Sequence, residues 1–155
     1  MKGLSLHQPY ATLIAIEAKR IETRSRSTDY RGSLAIHAAK KWDYESWETC
    51  MSEPIRSALQ AHNYNVREKW SYIDQLPLGA IVAVAKLVAC RSTGDQGEDI
   101  GWLDKLSENE VALGNFLPYR YGWFFEDVQK VEPPIPCRGM QGLFKLPPEI
   151  EKQLR

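Results

Sequence analysis

Residues 79–90 read Gly-Ala-Ile-Val-Ala-Val-Ala-Lys-Leu-Val-Ala-Cys, an apolar stretch whose only charge is Lys86. Side chains of extended backbone alternate faces, so a segment apolar at nearly every position needs cover on both sides. It predicts a central strand, and everything else in the chain must supply its neighbours and its cover. Ala83, Ala85 and Ala89 are small enough to line the interior of a tight barrel. The run Ala80–Ala85 is far short of the roughly 20 residues that cross a membrane as a helix.

The remaining pattern supplies those neighbours. Residues 2–6 predict a short strand, and Pro9 suits the first turn of a helix running to about Ala18, with Leu13, Ile14 and Ile16 on its apolar side. Strands follow at about 20–24 and 33–38, joined by the polar stretch Ser25–Gly32. From Asp43 to about His62 the pattern is helical with a break at Pro54, and a further short helix is predicted at about 65–74. Trp42, Tyr44, Trp47 and Trp70 read as packing groups of these helices. Ser107-x-x-Glu110 has the form of a capping box and Gly114 of a stop, which predicts a small acidic helix over 108–113. Strands at about 121–131 and 140–146 would complete the sheet, with Pro133–Pro136 as an extended spacer. The elements make an α+β protein, and 155 residues at 43% hydrophobic content fit a single domain over 1–155.

Charge narrows the function classes. With 20 Lys and Arg against 20 Asp and Glu, the chain lacks the overall positive field of a general DNA-coating protein. The charges are unevenly spread: residues 19–41 hold seven bases and two acids, whereas residues 92–132 hold nine acids and three bases. The three cysteines, Cys50, Cys90 and Cys137, are odd in number and far apart, as reduced thiols of a cytoplasmic protein would be. No Cys-x-x-Cys or His-x-x-x-His pattern occurs, so neither a metal nor another cofactor is expected. The N-terminus has no long hydrophobic centre of the signal-peptide kind, and neither a membrane nor an obligate protein partner is expected.

The most crowded charge pattern is Lys19-Arg20-Ile21-Glu22-Thr23-Arg24, between the predicted helix and strand. Alternation puts Arg20, Glu22 and Arg24 on one face, with Ile21 and Thr23 on the other and Lys19 able to swing over the first. Such a face suits phosphate or a polar heterocycle, but it also suits a charged, protected sheet edge.

The flanks favour a site. Ser5-Leu6-His7-Gln8-Pro9-Tyr10, then Lys19-x-x-Glu22-x-Arg24, then Arg31-Gly32-x-x-x-Ile36-His37-Ala38 occur in that order, followed by Gly122-Trp123-Phe124, Pro134-Ile135-Pro136 and Gly139-Met140-Gln141-Gly142-Leu143-Phe144. This set resembles the ASCH family of the PUA-like superfamily, whose core pattern is G-x-K-x-x-E-x-R. Glu17 stands where that pattern has glycine, so the turn before Lys19 must be made without glycine's freedom. The resemblance implies a small mixed β-barrel with helices packed around it, and a cleft beside the barrel for a nucleobase or nucleic acid.

Two functions follow. As a binding module for RNA or a nucleotide, Lys19, Arg24 and either Arg20 or Lys40 would meet phosphate, Gln8 and Glu22 would meet base or sugar edges, Tyr10 would stack, and His37 would form pocket wall. As an enzyme, the chain is similar to ASCH amidohydrolases acting on N4-acylated cytidines through a Lys, a Thr and a Glu. Lys19 matches their lysine, but Glu22 occupies the threonine's place. Lys19 and Glu22 would then be the catalytic pair, with Glu22 activating water, and a ribonuclease reaction could use the same cations.

Overall fold

The computed structural model describes residues 1–66, 76–94 and 98–155. The predicted helix at about 65–74, with Trp70, falls largely outside them. Among the described residues, six strands form one sheet: β1 (Lys2–Leu6), β2 (Ile21–Arg24), β3 (Gly32–Ala38), β4 (Ala80–Ser92), β5 (Tyr121–Pro136) and β6 (Leu143–Lys145), in the spatial order β2-β5-β4-β3-β1-β6. The β1–β3 pair is parallel and the others antiparallel. Register shifts at Ile81/Ala83, Val84/Lys86 and Leu87/Ala89 bend the long β4–β5 ribbon, and the sheet curls into a half-barrel within an α+β fold.

Strand β4 is central, as its double-sided apolar pattern requires. Ala83 and Ala85 are buried, whereas Ala89 sits beside the last register shift and is only partly covered, so it does not share their interior role. Helix α1 (Tyr10–Ala15) fills the curl: Ala11 and Ile14 pack with Leu34, Ile36, Leu87 and Trp123 of the sheet. Its opposite side, through Leu13 and Ile16, packs on Cys50, Ile55 and Leu59 of α2 (Tyr44–Met51) and α3 (Ile55–Ala61). A helix covered on both sides fixes whatever its ends carry.

Several local outcomes differ from the sequence reading. Helix α1 stops at Ala15 instead of about Ala18, because Glu17 takes a left-handed φ of 60° and the Lys19 N–H turns back to the Leu13 carbonyl (3.1 Å). The missing glycine is thus replaced in conformation by a residue that adopts it at a cost. Strand β5 runs through the prolines, which form no spacer: Ile135 and Pro136 lie opposite Ile81 and Ala80. This is permitted because β2 covers only Tyr121–Phe124, leaving the rest of β5 at an edge where a proline need not donate. In α4 (Glu108–Ala112), Ser107 Oγ caps the Glu110 N–H, but the Glu110 carboxylate accepts the distant Arg20 N–H (2.6 Å) in place of closing the box. Two elements lacked a sequence expectation: a 3-10 helix at Gly101–Lys105, and α5 (Pro148–Gln153), whose Ile150 covers the outer face of the sheet with Phe144 and Leu146.

Candidate functional site

An open cleft of about 2060 Å³ lies against the edge strand β2, bounded by the 25–28 loop, the C-terminal ends of β1 and β3, and the segment 136–143. Among the described residues, five that line it are cations, Arg24, Arg26, Lys40, Arg120 and Arg138, and Glu22 is the one acid. The alternation of β2 positions the central pair. Glu22 and Arg24 line the cleft together and Ile21 is buried, while Thr23, which also lines the cleft, uses its hydroxyl to accept the Asn115 N–H (3.0 Å). Arg20, expected to share the face of Glu22, is absent from the lining; its backbone N–H and carbonyl bind Glu110 and Phe125 instead.

Arg24 is held flat. Its guanidinium carbon lies 5.4 Å from the Trp123 ring centroid, and the buried indole is fixed by its own N–H, which donates to the Arg26 carbonyl (3.0 Å). Arg120 reaches the same wall, with Nη2 donating to the Thr23 carbonyl (3.1 Å) while its Nε is buried without a hydrogen-bond partner.

Lys19 lies beneath the cleft, not in its wall. Only 1% exposed, its ammonium donates to the Leu113 carbonyl (2.6 Å), stands 5.6 Å from the Tyr10 ring centroid and is 3.8 Å from Glu22 Oε2. Burial holds the Lys19 pKa below the ordinary lysine value, with Glu22 and Glu110 opposing the shift. Burial pushes the Glu22 pKa up, against the pull of Lys19, Arg24 and Arg120. Glu22 Oε2 is sealed from solvent and accepts no hydrogen bond. Tyr10 lines the cleft and carries a raised pKa, first from burial and then from the nearby Glu22 charge.

His37 and Lys40 also line the cleft. The neutral His37 ring donates from Nε2 to the Cys137 carbonyl (2.7 Å) and accepts the Ser5 hydroxyl at Nδ1 (2.9 Å), which ties β1, β3 and the 136–143 segment together. Burial keeps its pKa low. Gly139 closes over this pair, and a Cβ there would overlap Ser5 Oγ and the imidazole. Gln8 belongs to the fold, outside the cleft wall. Its amide donates to Thr12 Oγ1 and the Pro77 carbonyl (both 2.8 Å) and accepts the Thr12 N–H (3.1 Å), which leaves little capacity for a ligand.

Arg120, Arg138 and Trp123 escaped the sequence reading as site residues. Only Trp123 carried a signal, through the Gly122-Trp123-Phe124 run; the two arginines reach the cleft through chain folding alone. Among the described residues, no group of three or more His, Cys, Asp or Glu side chains is placed to hold a metal ion. Burial pushes the Cys50 thiol up to about 12, consistent with inert packing.

The ASCH domain model matches residues 4–135 of the chain. The chain belongs to the ASCH family. The crystal structure of ASCH from Zymomonas mobilis is similar to this ASCH domain with a TM-score of 0.52 and 16% sequence identity, covering 99% of this chain and 92% of that one. A point variant of the Zymomonas protein gives 0.51 at 16% identity, with 99% and 94% covered. At that identity the likeness establishes the shared fold. No curated protein matches the chain. No helix among the described residues is long and apolar enough to cross a membrane.

Proposed function

We propose that this ASCH domain binds RNA or a nucleotide in the cleft, and that its natural ligand is a single-stranded segment. The observation that carries the reading is the local charge: five Lys and Arg against one carboxylate among the described lining residues, in a chain whose 20 bases and 20 acids cancel as a whole. Phosphates supply the complementary charge. A volume of about 2060 Å³ exceeds the roughly 300–1,000 Å³ of small-molecule sites, which favours several linked nucleotides over a lone nucleoside. Tyr10 offers an aromatic ring and Arg24, lying over the buried Trp123, a planar cation to bases, and Glu22 offers an acceptor to a base N–H.

A second reading, a hydrolase for N4-acylated cytidine or similar modified nucleosides, or a ribonuclease, draws on the buried Lys19–Glu22 pair. Its burial moves the two pKa values toward each other, as acid–base sites require. Binding is the better account, because the Lys19 ammonium already serves the Leu113 carbonyl below the cleft floor.

Fluorescence anisotropy with a labelled, unstructured RNA oligonucleotide tests the primary reading. Affinity is expected to fall as salt rises, and Arg24→Ala or Arg138→Ala should weaken it and flatten the salt slope by about 0.7 per lost phosphate contact. Equal affinity and slope for wild type and both variants would overturn it. Parallel incubation with acylated nucleosides separates turnover from binding.

A further inference from the structure

Beside the cleft, the loop Asn115–Tyr119 carries two of the most exposed apolar side chains, Leu117 at 68% and Tyr119 at 76%. Exposed side chains usually sit on relaxed backbone. Tyr119 instead has a left-handed φ of 68°, a region that bulky residues rarely occupy. The backbone around it is pinned throughout. Its N–H donates to the Gly94 carbonyl (3.0 Å), Thr93 Oγ1 donates to the Leu117 carbonyl (2.7 Å), and the Arg120 N–H donates to Thr93 Oγ1 (2.9 Å).

The fold therefore holds a strained, exposed tyrosine on a hydrogen-bonded backbone. Trp102 backs that support, with its ring centroid 6.1 Å from Phe116 and 5.2 Å from Phe124. The loop also joins the cleft wall at two points. Asn115 N–H donates to Thr23 Oγ1, and Arg120, the residue after Tyr119, lines the cleft and grips the Thr23 carbonyl.

We infer that Tyr119, with Leu117, is a stacking platform for an unpaired nucleobase of a strand that leaves the cleft past Arg120. This rests on the nucleic-acid reading of the cleft and extends it to a second subsite. Tyr119 directly precedes Arg120, a lining residue of the basic cleft, and an exposed aromatic side chain at the border of a basic groove matches the chemistry of sequence-tolerant single-strand binding. A rigid two-torsion side chain loses little entropy on stacking, which gives a physical reason to hold it in place before the ligand arrives.

The test uses the full chain and labelled single-stranded RNAs of mixed, unstructured sequence, one of 4 and one of 10 nucleotides. Tyr119→Ala is expected to weaken the longer RNA by about tenfold, within the range of one lost base stack, and to leave the shorter within about twofold. Tyr119→Phe should bind both as wild type does. Tyr119→Gly should lose the same longer-RNA affinity while melting no lower than wild type, since glycine accepts the left-handed φ. If wild type binds both RNAs and Tyr119→Ala changes neither, or weakens both equally, the platform is wrong and the cleft reading stands. If wild type binds neither RNA, the cleft reading falls and the platform with it. Concentration-dependent self-association abolished by Tyr119→Ala, with RNA binding intact, would assign the loop to contacts between copies and also overturn the platform.

Discussion

The Lys19 ammonium stands 3.8 Å from Glu22 Oε2, too far for a direct hydrogen bond, although both atoms are buried. Desolvation opposes both charges, and their attraction offsets it only in part.

This arrangement predicts non-additive stability. Glu22→Gln removes a buried charge whose desolvation outweighs its attractions, so alone it should not destabilise the domain at neutral pH. The effects of Lys19→Met and Glu22→Gln should not add in the double substitution, because either one removes the attraction between the two. Urea denaturation at neutral pH measures all three. The pH dependence has a defined sign. Because the folded state raises the Glu22 pKa, its favourable contribution is present in acid and is lost as pH rises from the ordinary carboxylate range through the raised value. Glu22→Gln should remove that slope; a slope unchanged by the substitution would locate it elsewhere.

Glu17 offers a simpler test. At φ 60° it pays a steric cost that glycine avoids, so Glu17→Gly should stabilise the domain by about 1 kcal/mol, read as a higher melting temperature. A lower melting temperature would mean that the Glu17 side chain contributes more than its backbone costs.

Much of this region was legible in the sequence, and its limits are instructive. The period of two placed Glu22 and Arg24 on one face, and the structure keeps them there. Lys19 was expected over that face but lies under it, because the turn at Glu17 directs its backbone to Leu13 before the strand begins. Gln8 was expected at the ligand; an amide that braces a helix start and one that reads a base are the same residue in a sequence, and only the Thr12 and Pro77 contacts separate them. Arg120 and Arg138 follow Glu22 by about a hundred residues, with no periodicity linking them to it. Their arrival depends on strand order, which local pattern does not encode.

Catalysis is predicted to be absent or weak on N4-acetylcytidine. No hydroxyl stands at position 22, and the neighbouring Thr23 Oγ1 faces Asn115. Chromatography of the deacetylated product decides this. Robust turnover abolished by Glu22→Gln, with ligand affinity intact, would make Glu22 a general base and overturn the preference for binding alone.

Gly139→Ala should damage the cleft from its far side. The added methyl would overlap Ser5 Oγ and the His37 ring, so the 136–143 segment must shift, at a cost of about 1–3 kcal/mol. RNA affinity should fall with the melting temperature, and unchanged values of both would show that the segment yields freely.

The central claim is that RNA occupies the cleft lined by Glu22, Arg24, Lys40, Arg120 and Arg138. Titrating isotopically labelled protein with a 10-nucleotide single-stranded RNA, and following each backbone amide by NMR, tests it most directly. The account predicts saturable shifts concentrated on residues 22–28, 37–40 and 136–143 and at Arg120. Shifts confined to surfaces away from the cleft, or no saturable shifts at low salt, would contradict it.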